Sequence, residues 1–201
     1  LSPTEVVSYA SRDGTKLWAY VTAKPGSGAR PMVMMPHGGP ESRDYYGFDA
    51  FAQFLASQGY VVVQPNFRGS SGFGGDFTLA GRGQWGLRMQ DDISDAVKHM
   101  VDTGQADPKR VCIVGGSYGG YAALAGVTLT PDLYRCAVSI AGVSDLLDIL
   151  SSERRDSGTN SNVYYYWRDS IGDPDADRTA LAAASPRKMA AAVKAPVLLI
   201  H

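Results

Sequence analysis

The sequence contains few of the residues that build metal sites and disulfide frameworks. Its 201 residues include two cysteines and three histidines. The histidines, His37, His99 and His201, are scattered, and no pair has the spacing of zinc ligands. Cys112 and Cys136 lie in apolar runs typical of buried strands, where free thiols are common. We therefore expect no metal site, and we predict that both cysteines are buried free thiols without a chemical role.

Long apolar runs and basic clusters are also missing. No segment approaches the ~18 consecutive apolar residues needed to cross a bilayer, and residues 1–5 lack the charged start and apolar stretch of a signal peptide. The formal net charge is −1 and no run of lysine or arginine occurs, so neither nucleic acid nor an anionic membrane is an expected partner. We expect a soluble protein, cytoplasmic unless a leader precedes residue 1, in which case periplasmic or secreted. Nothing in the sequence indicates its oligomeric state.

The length and the hydrophobic content favour one domain. A chain of 201 residues with 44% hydrophobic residues is long enough for one sizeable core and short for two. Apolar runs typical of buried strands alternate with helical patterns, which favours a mostly parallel sheet covered by helices on both faces. The predicted strands of this sheet occupy residues 31–35, 60–63, 111–114, 136–140 and 196–200. An Asp-Gly turn between residues 5–10 and 16–23 predicts an antiparallel hairpin at the sheet edge.

Four helices are predicted, over residues 47–58, 89–101, 119–129 and 185–193. The first follows from the helical spacing of Phe48, Phe51, Phe54 and Leu55. In the second, Asp91, Asp92 and Asp95 suit the helix dipole, and we expect them to be solvated.

Two long connections carry little periodicity. Residues 65–90 are rich in glycine and predict a surface loop at the mouth of a site. Residues 142–177 are polar and predict a long functional loop. The aromatic residues 164–167 in this second loop either line a substrate pocket or pack partly on the core.

The main chemical signal is Gly-x-Ser-x-Gly at residues 115–119. A β-branched run precedes it and an alanine-rich helical run follows, which is the context of a nucleophile elbow. Glycines keep side chains out of such a sharp turn, and the following helix directs its positive end toward Ser117. A dinucleotide-binding loop would need glycine where Ser117 or Tyr118 stands. We therefore predict that Ser117 is a catalytic nucleophile, and we expect no cofactor.

A nucleophilic serine in acyl transfer needs two backbone donors for the oxyanion. The first is the N–H of Tyr118, directly after the nucleophile. The second comes from the glycine turn after the third strand, where we predict Gly39 in preference to Gly38. The alternative is that this turn needs glycine only for steric reasons.

The serine also needs a histidine base that is oriented by a carboxylate. His37 lies in the glycine turn, His99 lies in a helix, and His201 follows a strand, so none of them is well placed as the base. We expect the base to lie outside residues 1–201. Asp145, which comes after the strand that follows the elbow, is an alternative acid.

Several motifs together resemble the catalytic domain of the prolyl oligopeptidase family. They are Met-Pro-His-Gly-Gly-Pro at 35–40, Asn-Phe-Arg-Gly-Ser at 66–70, Trp-Gly at 85–86, Asp-Asp at 91–92 and the elbow at 115–120. Their order is that of the family, and the acylaminoacyl-peptidase and dipeptidyl-peptidase-like members are the most similar. The resemblance covers nearly the whole chain. It implies an α/β-hydrolase fold and cleavage of short peptides through an acyl-enzyme on Ser117.

The resemblance also implies that residues 1–201 are only part of a catalytic domain, without its last strand and helix. It places the catalytic aspartate and histidine after residue 201 and a β-propeller domain before Leu1. By this comparison Tyr118 and Gly39 are the oxyanion donors, and His201 is not the catalytic histidine. The segment alone would be almost inactive. A carboxylesterase of the same fold and a non-catalytic binding or assembly domain are the alternatives.

Overall fold

The computed structural model describes residues 1–201 and contains one seven-stranded sheet with the order β1-β2-β4-β3-β5-β6-β7. β1 pairs antiparallel with β2, and β2 with β4, whereas all other neighbours are parallel. The mostly parallel sheet and its hairpin are therefore confirmed, although only β1 of the hairpin lies at the edge. The strands are β1 Thr4–Ala10, β2 Lys16–Thr22, β3 Arg30–Met34, β4 Val61–Asn66, β5 Ala106–Gly116, β6 Cys136–Ile140 and β7 Val197–Ile200.

Helices cover both faces of the sheet, as expected of an α/β-hydrolase fold. Met32, Val63 and Ile113 belong to the main core, together with residues of α3 and α4, whereas Val62 packs against α1 on the opposite face. None of the helices is both long and apolar enough to cross a bilayer. The helices are α1 Ala50–Ser57, α2 Gly75–Leu79, α3 Arg88–Asp102, α4 Tyr118–Leu129, α5 Leu146–Ser157, α6 Asn162–Ile171, α7 Arg178–Ala183 and the 3₁₀ helix Pro186–Ala192.

Helix α1 forms as predicted, but it turns a different face to the sheet. Its N-cap is Asp49, whose carboxylate accepts the N–H of Ala52 at 2.7 Å. The buried residues are Ala52 and Ala56, whereas the phenylalanines that predicted the helix are between 45% and 69% exposed. Small side chains on the inner face let a helix pack closely on a sheet, which the spacing of the phenylalanines does not show.

The connection over residues 65–90 is not a surface loop along its whole length. Phe67, Arg68 and Ser70 are buried, and α2 lies within the segment. Arg68 donates to Asp92 at the start of α3 from Nε at 2.8 Å, from Nη2 at 2.7 Å and from its main-chain N–H at 2.9 Å. The interpretation of Asp92 as solvated is therefore wrong, because its carboxylate is fully buried in this ion pair. Asp95 is buried as well, and it pairs with Arg12 in the hairpin turn.

Residues 142–177 contain two helices instead of a long loop. The N-cap of α5 is Asp145, which accepts the N–H groups of Leu147 and Asp148, and the N-cap of α6 is Ser161. Only two residues of α5 are buried. A helix that buries so little has a weak hydrophobic period, which is why the sequence did not predict it.

The prediction of two buried free thiols is wrong. Cys112 of β5 and Cys136 of β6 are direct partners in the parallel register, and they form a disulfide with a Cα–Cα distance of 4.7 Å. Both residues are half-buried. Their separation of 24 positions in the sequence hid the pairing, which exists only because β5 and β6 are neighbours in this register.

Candidate active site

Ser117 lies at the sharp turn between β5 and α4. Its backbone has φ 54° and ψ −119°, a conformation that residues with a side chain rarely adopt. The side chain is exposed, and the main-chain N–H donates to the carbonyl of Ile140 in β6 at 2.9 Å. The strand-to-helix turn that the sequence predicts is therefore present, and it directs the serine outward.

Close backbone packing surrounds this turn. A Cβ on Gly119 would clash with the carbonyl oxygen of Pro36 after β3, and a Cβ on Gly115 would clash with the backbone of Gly119. By contrast, a Cβ on Gly116 would meet its nearest neighbour, the carbonyl oxygen of Ile140, at an ordinary 3.8 Å. The glycines at 115 and 119 are thus required by sterics, and they let β3 and β5 end side by side.

The glycine turn after β3 lies against Ser117. A Cβ on Gly38 would be 3.5 Å from the Cβ of Ser117, and Gly39 has φ +121°. On the other side of the serine, Tyr118 is the first residue of α4, so its N–H has no acceptor within the helix. The structure therefore brings the two segments with the predicted oxyanion donors together around one hydroxyl. The roles of Gly39 and Tyr118 remain predictions.

His37 holds the glycine turn and is not available as a base. Its Nδ1 is 2.7 Å from the carbonyl oxygen of Gly38, and its Nε2 is 2.8 Å from Oγ of Ser70. The imidazole also stacks on Phe67 with 4.4 Å between the ring centroids. Burial lowers the pKa of His37 to about 4. With both nitrogens engaged and a low pKa, His37 is a poor acceptor for the proton of Ser117.

The other candidate acid and base groups have different contacts. His99 lies in the last turn of α3, beside the ring of Tyr9, and His201 is exposed after β7. Asp145 caps α5, and its Oδ2 is 3.3 Å from the ammonium of Lys188. This capping role leaves no support for Asp145 as the acid.

A small cavity of about 200 Å³ adjoins the glycine turn and is lined in part by His37, Asp44, Asp49 and Gln64. Burial, and to a smaller extent the nearby charge of Asp49, raise the pKa of Asp44 to about 7. The charge in this cavity therefore changes near neutral pH.

An aromatic cluster lies beneath the elbow, and the sequence predicted it only in part. The indole of Trp85 meets the ring of Tyr118 edge-on at 4.5 Å and lies 6.2 Å from the ring of Trp167 in α6. Within the aromatic run of α6, Tyr164 is buried and Tyr165 is exposed. The run thus divides between packing on the core and lining the surface. The surrounding residues Phe67, Arg68 and Ser70 were missed as site residues, and the motif at 66–70 was the only signal that pointed to them.

Comparisons with known proteins give a family match, related sequences and similar solved structures. Residues 46–201 match the family model described as "Prolyl oligopeptidase family". The chain is 41% identical to the dipeptidyl aminopeptidase BIII of Pseudoxanthomonas mexicana, across 99% of this chain and 30% of that protein. It superposes on a puromycin-hydrolyzing peptidase of Mycobacterium tuberculosis with a TM-score of 0.88 and 31% identity, over 99% of this chain and 30% of that chain. For an acylaminoacyl peptidase of Pyrococcus horikoshii the TM-score is 0.86 with 31% identity, over 100% of this chain and 32% of that chain. The chain thus spans about a third of the length of these relatives.

The close packing at the elbow predicts a large loss of stability for one of two matched substitutions and little change for the other. Gly119→Ala forces a methyl group into the carbonyl of Pro36, and we expect it to lower the free energy of unfolding by about 3 kcal/mol or more, at the upper end for overpacking. Gly116→Ala has room for its methyl group, and we expect a change below about 1 kcal/mol. Urea unfolding of the two variants measures both values. Equal losses would show that the elbow is not limited by sterics.

The half-buried imidazole of His37 predicts a stability that depends on pH. Burial lowers the pKa of His37 from its ordinary 6.5 to about 4, so between these pH values only the unfolded chain binds the proton. Stability is therefore complete above about pH 6.5 and falls as the pH is lowered toward 4, by at most about 3 kcal/mol from this group. His37→Gln, which does not titrate, should weaken this pH dependence by a similar amount. Chemical unfolding at pH 7 and pH 5, between which about 2 kcal/mol of this loss is expected, measures it. An equal change in the free energy of unfolding for the two proteins would contradict the assignment.

Proposed function

Because the chain belongs to the prolyl oligopeptidase family, we propose that the protein is a serine peptidase that cleaves short peptides through an acyl-enzyme on Ser117. The observation that carries this proposal is the backbone of Ser117, whose φ of 54° presents an exposed hydroxyl between a strand end and a helix start. Strained backbone of this kind persists where the surrounding structure holds it, and it clusters at active sites.

The reaction would proceed in two acyl-transfer steps. The hydroxyl oxygen of Ser117 attacks the peptide carbonyl while a base accepts its proton, and the carbonyl oxygen becomes an oxyanion. The N–H groups of Tyr118 and Gly39 donate hydrogen bonds to this oxyanion, and the positive end of the α4 dipole stabilises it further. The base then protonates the leaving amine, which leaves an ester on Ser117. Water, activated by the same base, hydrolyses the ester and releases the acid.

The base and the acid would come from a part of the protein outside residues 1–201. Two contacts support this, since His37 is occupied at both nitrogens and Asp145 caps α5. The exposed edge also supports it, because Leu198, Leu199 and Ile200 of β7 are 46% to 67% exposed. Residues 1–201 would thus be a partial α/β-hydrolase domain. In the complete protein, a propeller domain would restrict access to the site.

The substrate would be a short peptide that is cleaved near its amino end. The names of two relatives support this, a dipeptidyl aminopeptidase and an acylaminoacyl peptidase. Acyl-transfer groups alone do not distinguish an amide from an ester, so the comparison of peptide amides with simple esters belongs in the test.

We expect a fluorophosphonate probe to label the full-length protein at Ser117. Ser117→Ala should abolish both the labelling and the hydrolysis of dipeptide and acyl-amino-acid amides, because the attacking oxygen is removed. Ser151→Ala, at an exposed serine of α5, is the matched control and should retain both. Mass spectrometry of the labelled protein and amide hydrolysis rates measure the outcome.

Three results would contradict the proposal. The first is labelling of the full-length protein at another residue, and the second is hydrolysis of simple esters without hydrolysis of amides. The third is equal turnover by residues 1–201 alone and by the full-length protein, which would contradict the assignment of the base and the acid to another part of the polypeptide.

A further inference from the structure

We propose that Phe67 is a positioning residue that sets the spacing between the two oxyanion donors. This inference rests on the proposed serine-peptidase function. Phe67 directly follows β4 and is fully buried. Its ring contacts one side chain from each of the two segments that carry the predicted donors, the turn after β3 and the elbow after β5.

The two ring contacts differ in geometry. The ring of Phe67 stacks on the imidazole of His37 at 4.4 Å with 16° between the planes, and it lies 5.3 Å from the ring of Tyr118 at 36°. His37 is two residues before Gly39, and Tyr118 carries the other donor itself. A shift of this one ring would therefore displace both segments that carry the predicted donors.

A tight turn connects Phe67 to His37 a second time. Ser70 donates to the carbonyl oxygen of Phe67 from its N–H at 3.0 Å and from its Oγ at 2.6 Å. The same Oγ lies 2.8 Å from Nε2 of His37. The imidazole is thus held by a stacked ring and by a hydroxyl that both belong to residues 67–70, while its Nδ1 contacts the carbonyl of Gly38.

The ion pair between Arg68 and Asp92 connects this turn to α3. Asp92 is fully buried, and its carboxylate accepts hydrogen bonds from both the guanidinium and the main-chain N–H of Arg68. Charge-assisted bonds of this kind are strong and directional, and separation of a buried pair is costly. Phe67 directly precedes Arg68 in the chain, so the ion pair with α3 also fixes the position of the Phe67 ring.

The spacing matters because oxyanion donors act only at short range. They must lie about 2.7–3.1 Å from the oxygen that carries the developing charge, and sites that are looser by ~1 Å lose much of their activity. Leucine at position 67 would keep the site apolar but would remove the flat face on which His37 stacks. The glycine turn would then relax relative to the elbow.

The test compares Phe67→Leu with Phe77→Leu in the full-length protein. Phe77 is half-buried and lies in α2, where its ring contacts Phe73 at 5.4 Å and makes no ring contact with His37 or Tyr118. Crystal structures should show the distance between the amide nitrogens of Gly39 and Tyr118 changed by about 0.5 Å or more in Phe67→Leu and unchanged in Phe77→Leu. Phe67→Met replaces the leucine variant if that variant does not fold.

The kinetic readout separates positioning from general destabilisation. In Phe67→Leu we expect kcat to fall by about 10- to 100-fold, less than the ~10²–10³ lost with a whole oxyanion donor, with KM within about threefold of the wild type. A peptide aldehyde, which forms a tetrahedral adduct, should bind more weakly in proportion to the fall in kcat/KM. Phe77→Leu should retain both constants even if its unfolding temperature falls.

Three outcomes would overturn the inference. They are an unchanged donor distance in Phe67→Leu, equal kinetic losses in both variants, and a rise in KM with kcat retained, which would indicate substrate contact. If the wild-type protein hydrolyses no amide, the proposed function fails, and the crystal structures still decide whether Phe67 sets the spacing.

Discussion

The backbone strain at Ser117 is the constraint on which the rest of the site depends. A φ of 54° at a residue with a side chain costs free energy, and the surrounding packing must offset that cost. Close backbone packing offsets the cost. β3 and β5 are paired strands, and the backbone of Gly119 fits against Pro36 with no room for a methyl group. The N–H of Ser117 is bonded to β6. Three strand ends thus hold one hydroxyl outward, with the glycine turn beside it.

Buried charge supports this arrangement from the side of α3. Asp92 and Asp95 bind Arg68 and Arg12, so two polar connections, one after β4 and one in the hairpin, are tied to the same helix. Ion pairs as buried as Arg68–Asp92 add little net stability compared with apolar residues, but breaking one leaves an uncompensated charge. These ion pairs matter here because they fix the position of the turn that begins at Phe67, where this turn meets His37. The glycine turn after β3 is therefore held by aromatic and ionic contacts together.

Local sequence signals predicted the sheet and the elbow, whereas contacts between residues distant in the sequence could not be predicted. The β-branched runs, the Asp-Gly hairpin turn and the glycines around Ser117 act within a few residues, so the sheet and the elbow could be predicted from the sequence. The pairing of Arg68 with Asp92 and the disulfide between Cys112 and Cys136 each join residues 24 apart in the sequence. These pairings depend on which elements become neighbours. The inner face of α1 was missed because alanines, and not its phenylalanines, contact the sheet.

In the proposed reaction, the amides of Gly39 and Tyr118 receive the oxyanion formed at Ser117. A crystal structure of the full-length protein after reaction with a fluorophosphonate tests it most directly, because the tetrahedral adduct resembles the reaction intermediate. We predict that the phosphonyl oxygen lies within about 3 Å of both amide nitrogens. An adduct whose phosphonyl oxygen faces solvent, or contacts neither amide, would contradict the account.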